Sequence, residues 1–279
     1  MTLVFFTKSI SAGEVMLTQD MAQGGTGLSN PTSLGAIHRA VSTVALKPTY
    51  DVGIAGGIGS DGTTTISFGA VDSESSPVTL GLLYRRQKSD SIATGSQLPG
   101  WSVEEEDFLN PTTESWVAVG VGGGFFQRRV AAGVTFGYHS QSSRFSTPSA
   151  DVSGNLCVSA ILLDGLVAVA TVGRASTQTS ENTYGGGLRA NIGVVAIEGN
   201  IEGRWSDTIM NPMMRVGGQL NVSPTTQVLA GYYRSWDSQD VGFTGGVGVA
   251  SQGAWVGYSV AVEPQALSHT HSVGVRISL

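Results

Sequence analysis

From Thr49 to the end of the chain, apolar and polar residues take turns. The final stretch shows it without a break. His271, Val273, Val275, Ile277 and Leu279 fall on one face, and Ser272, Gly274, Arg276 and Ser278 on the other. A period of two is the mark of a β-strand with one apolar and one polar face. The design recurs upstream. Tyr50, Val52, Ile54 and Ile58 share a face; Val78, Leu80, Leu82 and Tyr84 alternate with Thr79, Gly81 and Arg85. Val130, Ala132, Val134, Phe136 and Tyr138 alternate with Gly133, Thr135, Gly137 and His139. Turn residues such as Asp61-Gly62 and Asp164-Gly165 separate the segments. The pattern predicts about fourteen strands. They run Thr49–Gly59, Thr63–Asp72, Val78–Gln87, Glu114–Gly124, Arg129–Gln141, Asn155–Leu163, Leu166–Arg174, Thr183–Ile192, Val194–Trp205, Met210–Val222, Gln227–Trp236, Val241–Ala250, Ala254–Glu263 and the closing stretch. Between the third and fourth, Lys88–Thr113 reads as a long loop.

The connections alternate in length. Those after even-numbered strands are tight. Those after strands three, five, seven, eleven and thirteen are mostly longer, and Asp61-Gly62 after strand one is the exception. Bacterial membrane barrels have this asymmetry, with short periplasmic turns and longer outer loops. A soluble sandwich has no reason for it. The expected fold class is therefore all-β: a transmembrane antiparallel β-barrel of about fourteen strands over residues 49–279, in the bacterial outer membrane. The chain closes on apolar Leu279, and Ser272, Gly274, Ile277 and Leu279 resemble the C-terminal insertion signal of outer-membrane barrels. That resemblance implies the barrel-assembly machinery as a partner, and outer-membrane lipid as the surroundings.

Residues 13–48 precede the alternation and read as a short N-terminal helical plug. Gln23–Pro31 is Gly-rich. Asn30-Pro31 reads as an N-cap followed by proline at the first helical position. A helix from Pro31 to about Val41 would carry Leu34, Ile37 and Val41 on one face. Residues 1–12, with the short apolar run Leu3–Phe6, read as a signal-peptide remnant.

Composition narrows the picture. Charged residues make up only 13% of the chain, about half the soluble average. Gly occurs 39 times, roughly twice average usage. No stretch approaches the ~18 apolar residues of a membrane helix, and a barrel needs none. The net charge of −6, with no basic run, argues against nucleic acid. Cys157 is the only cysteine, so it forms no intramolecular disulfide and no zinc cluster, and it reads as a small strand residue. The sequence offers no phosphate loop, no dinucleotide fingerprint and no metal spacing. His139, His269 and His271 read as strand residues, and Glu104–Asp107 as a solvated acidic loop. Neither a cofactor nor an enzymatic activity is expected.

The polar strand face is mostly Gly, Ser, Thr and Ala, with isolated charges at Asp51, Arg85, Arg189, Glu198, Glu202, Arg204, Arg215, Glu263 and Arg276. A solvated outer face would carry many Lys and Glu. Small residues with scattered Arg and Glu suit a partly filled lumen. Arg189 and Glu198 flank the turn near Gly193 and are expected to face each other. His38 and Arg39 on the plug are expected to meet carboxylates such as Glu198 or Glu202. Tyr50, Tyr84, Trp116, Tyr138, Tyr184, Trp205 and Trp236 are expected to form interfacial girdles.

The Gly-rich segment with Asn30-Pro31, a short helix and then the strands resembles the FadL family of long-chain fatty-acid transporters, and equally the related PorV-like outer-membrane proteins. Thr32 stands where that family's motif has alanine, and the outer loops are modest. The resemblance implies a fourteen-stranded barrel with an N-terminal hatch. It also implies a channel or transporter for small hydrophobic molecules, or else a structural barrel that anchors or escorts envelope proteins.

Overall fold

The structure is a computed structural model, which describes residues 28–94, 107–143, 148–176, 180–205, 210–236, 241–264 and 268–279. Its helix α1 spans Ala36–Ala45. The strands are β1 (Tyr50–Gly59), β2 (Thr64–Asp72), β3 (Val78–Thr94), β4 (Asp107–Phe125), β5 (Val130–Ser143), β6 (Ser149–Leu163) and β7 (Leu166–Ser176). They continue as β8 (Ser180–Ile192), β9 (Val195–Trp205), β10 (Met210–Asn221), β11 (Thr226–Ser235), β12 (Val241–Ser251), β13 (Ala254–Glu263) and β14 (Ser268–Ser278). Each pairs antiparallel with its neighbours, and β14 pairs with β1 from Asp51↔Ser278 to Gly59↔Thr270. The sheet closes on itself, so no strand edge is left to face lipid unpaired.

Alternation sets the two faces. Val273, Val275 and Ile277 of β14 are exposed on the outside, while Ser272 and Gly274 are buried inside and Arg276 points inward with them. Ile54 and Ile58 of β1, Leu80 and Leu82 of β3, and Val119 and Val121 of β4 are likewise exposed. In water such a surface would aggregate; in a bilayer it is the solvated one. No described helix is long and apolar enough to cross a membrane; the strands do the crossing.

Apart from the β1–β2 turn at Asp61-Gly62, the tightest turns (Asp164-Gly165, Gly193-Val194 and Gln252-Gly253) share one end, which marks it as periplasmic. At Asp164-Gly165 the glycine takes φ 87°, the left-handed conformation a two-residue hairpin requires. The β4–β5 turn reaches the same conformation without glycine: Phe126, Gln127 and Arg128 have φ of 50°, 58° and 63°. Non-glycine residues held there cost about 1–2 kcal/mol each. Arg128 uses the turn to reach two backbone carbonyls, as described below.

The strands outgrow the sequence pattern on the outer side. Lys88–Thr113, expected as a loop, is largely strand: β3 runs on to Thr94, β4 starts at Asp107, and Thr94↔Asp107 are in register. β3 and β4 are 17 and 19 residues long, whereas crossing a bilayer takes about 9–11. The excess forms a wall standing above the membrane. Hydrogen-bond rows climb steeply around the barrel. A row leaving β1 at Tyr50 passes through Asp72, Leu80, Val121, Val134, Leu156, Val172, Tyr184 and Gly203 to Pro212, near the outer end of β10.

Of the aromatics expected in the girdle, Tyr50, Tyr84, Tyr138, Tyr184 and Trp205 take the outward parity of their strands, and Trp236 is exposed just past β11. Trp116 is a correction. Val117, Val119 and Val121 take the outer positions of β4, so Trp116 faces inward with Ala118 and Gly120 and is buried.

The facing has a direct consequence. Val275→Arg places a guanidinium in lipid and should cost about 2–4 kcal/mol near the bilayer centre. Reversible unfolding in lipid vesicles measures it. An equal cost for the inward change Thr244→Arg would contradict the assignment of faces.

Candidate functional site: the plugged lumen

The segment from Leu28 to Leu46 lies inside the barrel. Asn30 does not cap a helix that starts at Pro31, as the sequence suggests. Its Oδ1 accepts bonds from the Thr32 backbone N–H at 3.1 Å and the Thr32 hydroxyl at 2.9 Å. This local turn competes with helix, and α1 begins only at Ala36, where the Ser33 hydroxyl accepts the Ala36 N–H at 3.3 Å. At Ala40 the backbone leaves the helix (φ −150°, ψ 64°), so α1 is two short helical pieces joined at a kink.

The apolar stripe of the plug docks on glycines. A Cβ at Gly53 would stand 2.9 Å from Leu34 Cδ1, one at Gly81 2.8 Å from Ile37 Cγ2, and one at Gly133 2.6 Å from Val41 Cγ1. Gly120, in register with Gly81, meets the same valine. The inner wall of β3–β5 is thus a groove that only glycine leaves deep enough. Leu28, Leu34, Ile37, Val41 and Val44 are almost wholly buried, each burial contributing about 1.5–3 kcal/mol.

Polar bonds fix where the plug sits. Glu198 Oε1 accepts from the Ser29 N–H at 2.9 Å and hydroxyl at 3.0 Å, and Oε2 accepts from Arg189 at 3.2 Å. Arg189 and Glu198 are register partners on β8 and β9, as their flanking of the Gly193 turn suggests. Arg39 pairs with Glu202, which also accepts from Arg215 at 2.9 Å. Arg276 on β14 donates to the Thr32 carbonyl at 2.7 Å. The Thr135 hydroxyl donates to the Ile37 carbonyl at 3.1 Å, and Ser159 meets the hydroxyls of Ser42 and Thr43 at 2.8 Å. At the periplasmic end Arg128 donates to the carbonyls of Ala45 and Ser73, while Ser73 Oγ donates to the Lys47 carbonyl at 2.7 Å.

The remaining candidates sit elsewhere on the inner wall. Asp51 is buried near the periplasmic end of β1. Arg85 donates to Gln87 at 2.6 Å and lies 5.2 Å over the Trp116 ring. Trp116 stacks on His139 at 4.5 Å, and His139 lies 3.9 Å from Glu114 and 3.8 Å from Asp151. Arg85, Trp116, His139 and Asp151 form one hydrogen-bond row across β3–β6. Arg204 is on the inner face of β9 and more exposed. His38 faces β5, its Nε2 being 3.8 Å from where a Gly137 Cβ would lie. Of the acidic loop, residues 104–106 fall outside the described residues, as do residues 1–12.

Sequence reasoning missed Ser29, Thr135, Ser159, Ser73 and Arg128, since nothing local marks a hydroxyl or a turn arginine as a plug contact. It also missed the far wall. There Trp255 lies flat over Gly248 and Gly257 and donates to Gln227 at 3.1 Å, and Tyr233 lies over Gly242 and donates to Glu263 at 2.6 Å. Parity could have placed both rings inward, because Val256 and Tyr232 take the outer positions.

Among solved structures, CymD, a monoaromatic hydrocarbon channel, matches with a TM-score of 0.69 at 11% identity, covering 96% of this chain and 98% of that one. The Pseudomonas putida toluene transporter TodX matches at 0.67 and 10%, covering 95% and 97%. The Ralstonia pickettii toluene transporter TbuX matches at 0.66 and 10%, with the same coverage. The fold is that of the FadL-type outer-membrane channels. No family model matches the sequence, and no curated protein is similar to it in sequence. The fold implied by the FadL resemblance is thus the fold observed, barrel and interior helix together.

Two outcomes follow from this plugged interior. Glu198→Ala leaves Arg189 in the wall without its carboxylate and frees Ser29. Removing one partner of so buried a pair costs about 3–5 kcal/mol, readable as a lower unfolding midpoint. Cys157, covered by the plug with the Ser42 N–H 3.4 Å from its Sγ, reports plug position. It should resist a water-soluble maleimide in the intact protein and label readily in Glu202→Ala. Equal labelling of both would show that the Glu202 pairs do not hold the plug.

Proposed function

We propose that the chain is an outer-membrane channel for small hydrophobic molecules, and that monoaromatic compounds belong to its substrate class. The carrying observation is the seated plug. A segment bolted into the bore replaces a continuous water column with packed protein, which disfavours hydrated solutes. Apolar solutes lose little on leaving water, and the inner wall is built of small and apolar side chains, with Trp255 and Leu229 clustered and Tyr233 near them in the wall of β11 and β13. TodX and TbuX, which share the fold, are toluene transporters, and CymD is a monoaromatic hydrocarbon channel. The wall above the membrane, with the Arg85–Trp116–His139–Asp151 row inside it, would form the entrance.

Reconstituted protein provides the test. Toluene should enter protein-containing vesicles faster than protein-free ones, whereas a sugar of similar size should not. Single-channel conductance should be small and rise when residues 23–41 are deleted. A large steady conductance that the deletion leaves unchanged would replace this reading with an aqueous porin.

A further inference from the structure

Arg39, Arg189 and Arg215 inside the barrel pair with carboxylates, but the outside carries a set of cations that form no such pair. Arg86 on β3, Arg174 on β7 and Arg234 on β11 take outward positions and are exposed. None of the three forms an ion pair with a carboxylate among the described residues. They are four strands apart in each step, and the register puts them at one height. The hydrogen-bond row through Arg174 runs by Gly154, Phe136 and Val119 to Leu82, four residues below Arg86. In the other direction it runs by Asn182 and Trp205 to Met210, whereas Arg234 faces Met214, four residues lower on β10. Rows in a barrel of this tilt climb about one residue per strand. Four strands of climb therefore cancel each offset, and the three guanidiniums fall on one level ring. On the same level β14 presents His269 and His271 outward, edge to face at 5.2 Å.

The ring stands just above the apolar band at the outer end. Tyr84 lies two residues below Arg86, and Tyr232 two below Arg234, the depth at which aromatic side chains mark the membrane interface. Among the described residues no aspartate or glutamate shares the outward strand face at this level. That is a strong sorting of charge in a chain whose net charge is −6. Snorkelling alone explains a cation at an interface, but it does not exclude carboxylates from the same ring.

We propose that this ring binds the phosphate groups of outer-leaflet lipid, with each arginine forking onto a phosphate while the girdle packs on the acyl chains. Guanidinium–phosphate geometry is bidentate and charge-assisted. The partner is thus a phosphorylated lipid arranged around the barrel, independent of what passes through the lumen.

The test is binding of bisphosphorylated lipopolysaccharide to the full chain in neutral detergent, followed by native mass spectrometry and thermal unfolding. Stoichiometric binding with a raised unfolding temperature is expected, weakening as salt rises. Arg86→Gln/Arg174→Gln/Arg234→Gln together should weaken half-saturation by about 10- to 100-fold and leave the unliganded unfolding temperature unchanged. The triple lysine variant, which keeps the charge, should retain most of the binding and controls for folding. Equal binding of dephosphorylated lipopolysaccharide, full binding by the glutamine variant, or the same shift with inorganic phosphate alone would each overturn the proposal.

Discussion

Closure of the sheet is the constraint on which the rest depends. In lipid an unpaired peptide group costs several kcal/mol, so β1 must find β14, and the strand number and tilt then fix the bore. The outer face has one solvent to satisfy and is uniformly apolar across the membrane. The inner face has no such uniform demand. It must fill a fixed volume, and it does so by glycine subtraction. Gly53, Gly81, Gly120 and Gly133 hollow out a groove on β1 and β3–β5, and Leu34, Ile37 and Val41 refill it from the plug.

Apolar packing of this kind is strong but not directional. A helix of ten residues with a kink in it could slide along a glycine groove. The polar contacts remove that freedom. They come from opposite sides of the bore: Glu198 and Glu202 on β9, Arg276 on β14, Thr135 and Ser159 on β5 and β6, and Arg128 from the floor. Buried ion pairs contribute less net stability than apolar replacements would, and their surest return is a unique arrangement. Here that arrangement is a plug held at one depth and one rotation. It packs on β3–β7, while Trp255 and Tyr233 belong to the strands on the other side of the ring.

The same alternation that builds the lumen also sorts the exterior. Residues one position apart on β3, Arg85 and Arg86, meet opposite worlds: Arg85 lies over the Trp116 ring inside, and Arg86 faces the headgroup level outside. A one-residue slip would exchange them, so strand register determines both transport lining and lipid contact.

What the sequence determined is what a period of two and a tight turn can encode locally. The strands, their faces and the Arg189–Glu198 pair were all legible, because alternation and hairpin register involve neighbours in the chain. Where lipid no longer writes the pattern, legibility stops: β3 beyond Lys88 and β4 before Thr113 stand above the membrane, carry no sustained apolar face, and read as loop. Trp116 misled because its place near a strand end outweighed its parity with Gly120. Only the tertiary structure decided that Asn30 forms a local turn instead of a cap, and that Arg39 finds Glu202 and Arg276 finds the Thr32 carbonyl. It alone set Arg86, Arg174 and Arg234 on one ring. Each of these joins residues far apart in sequence, through a circumference and a tilt that exist only once the barrel has closed.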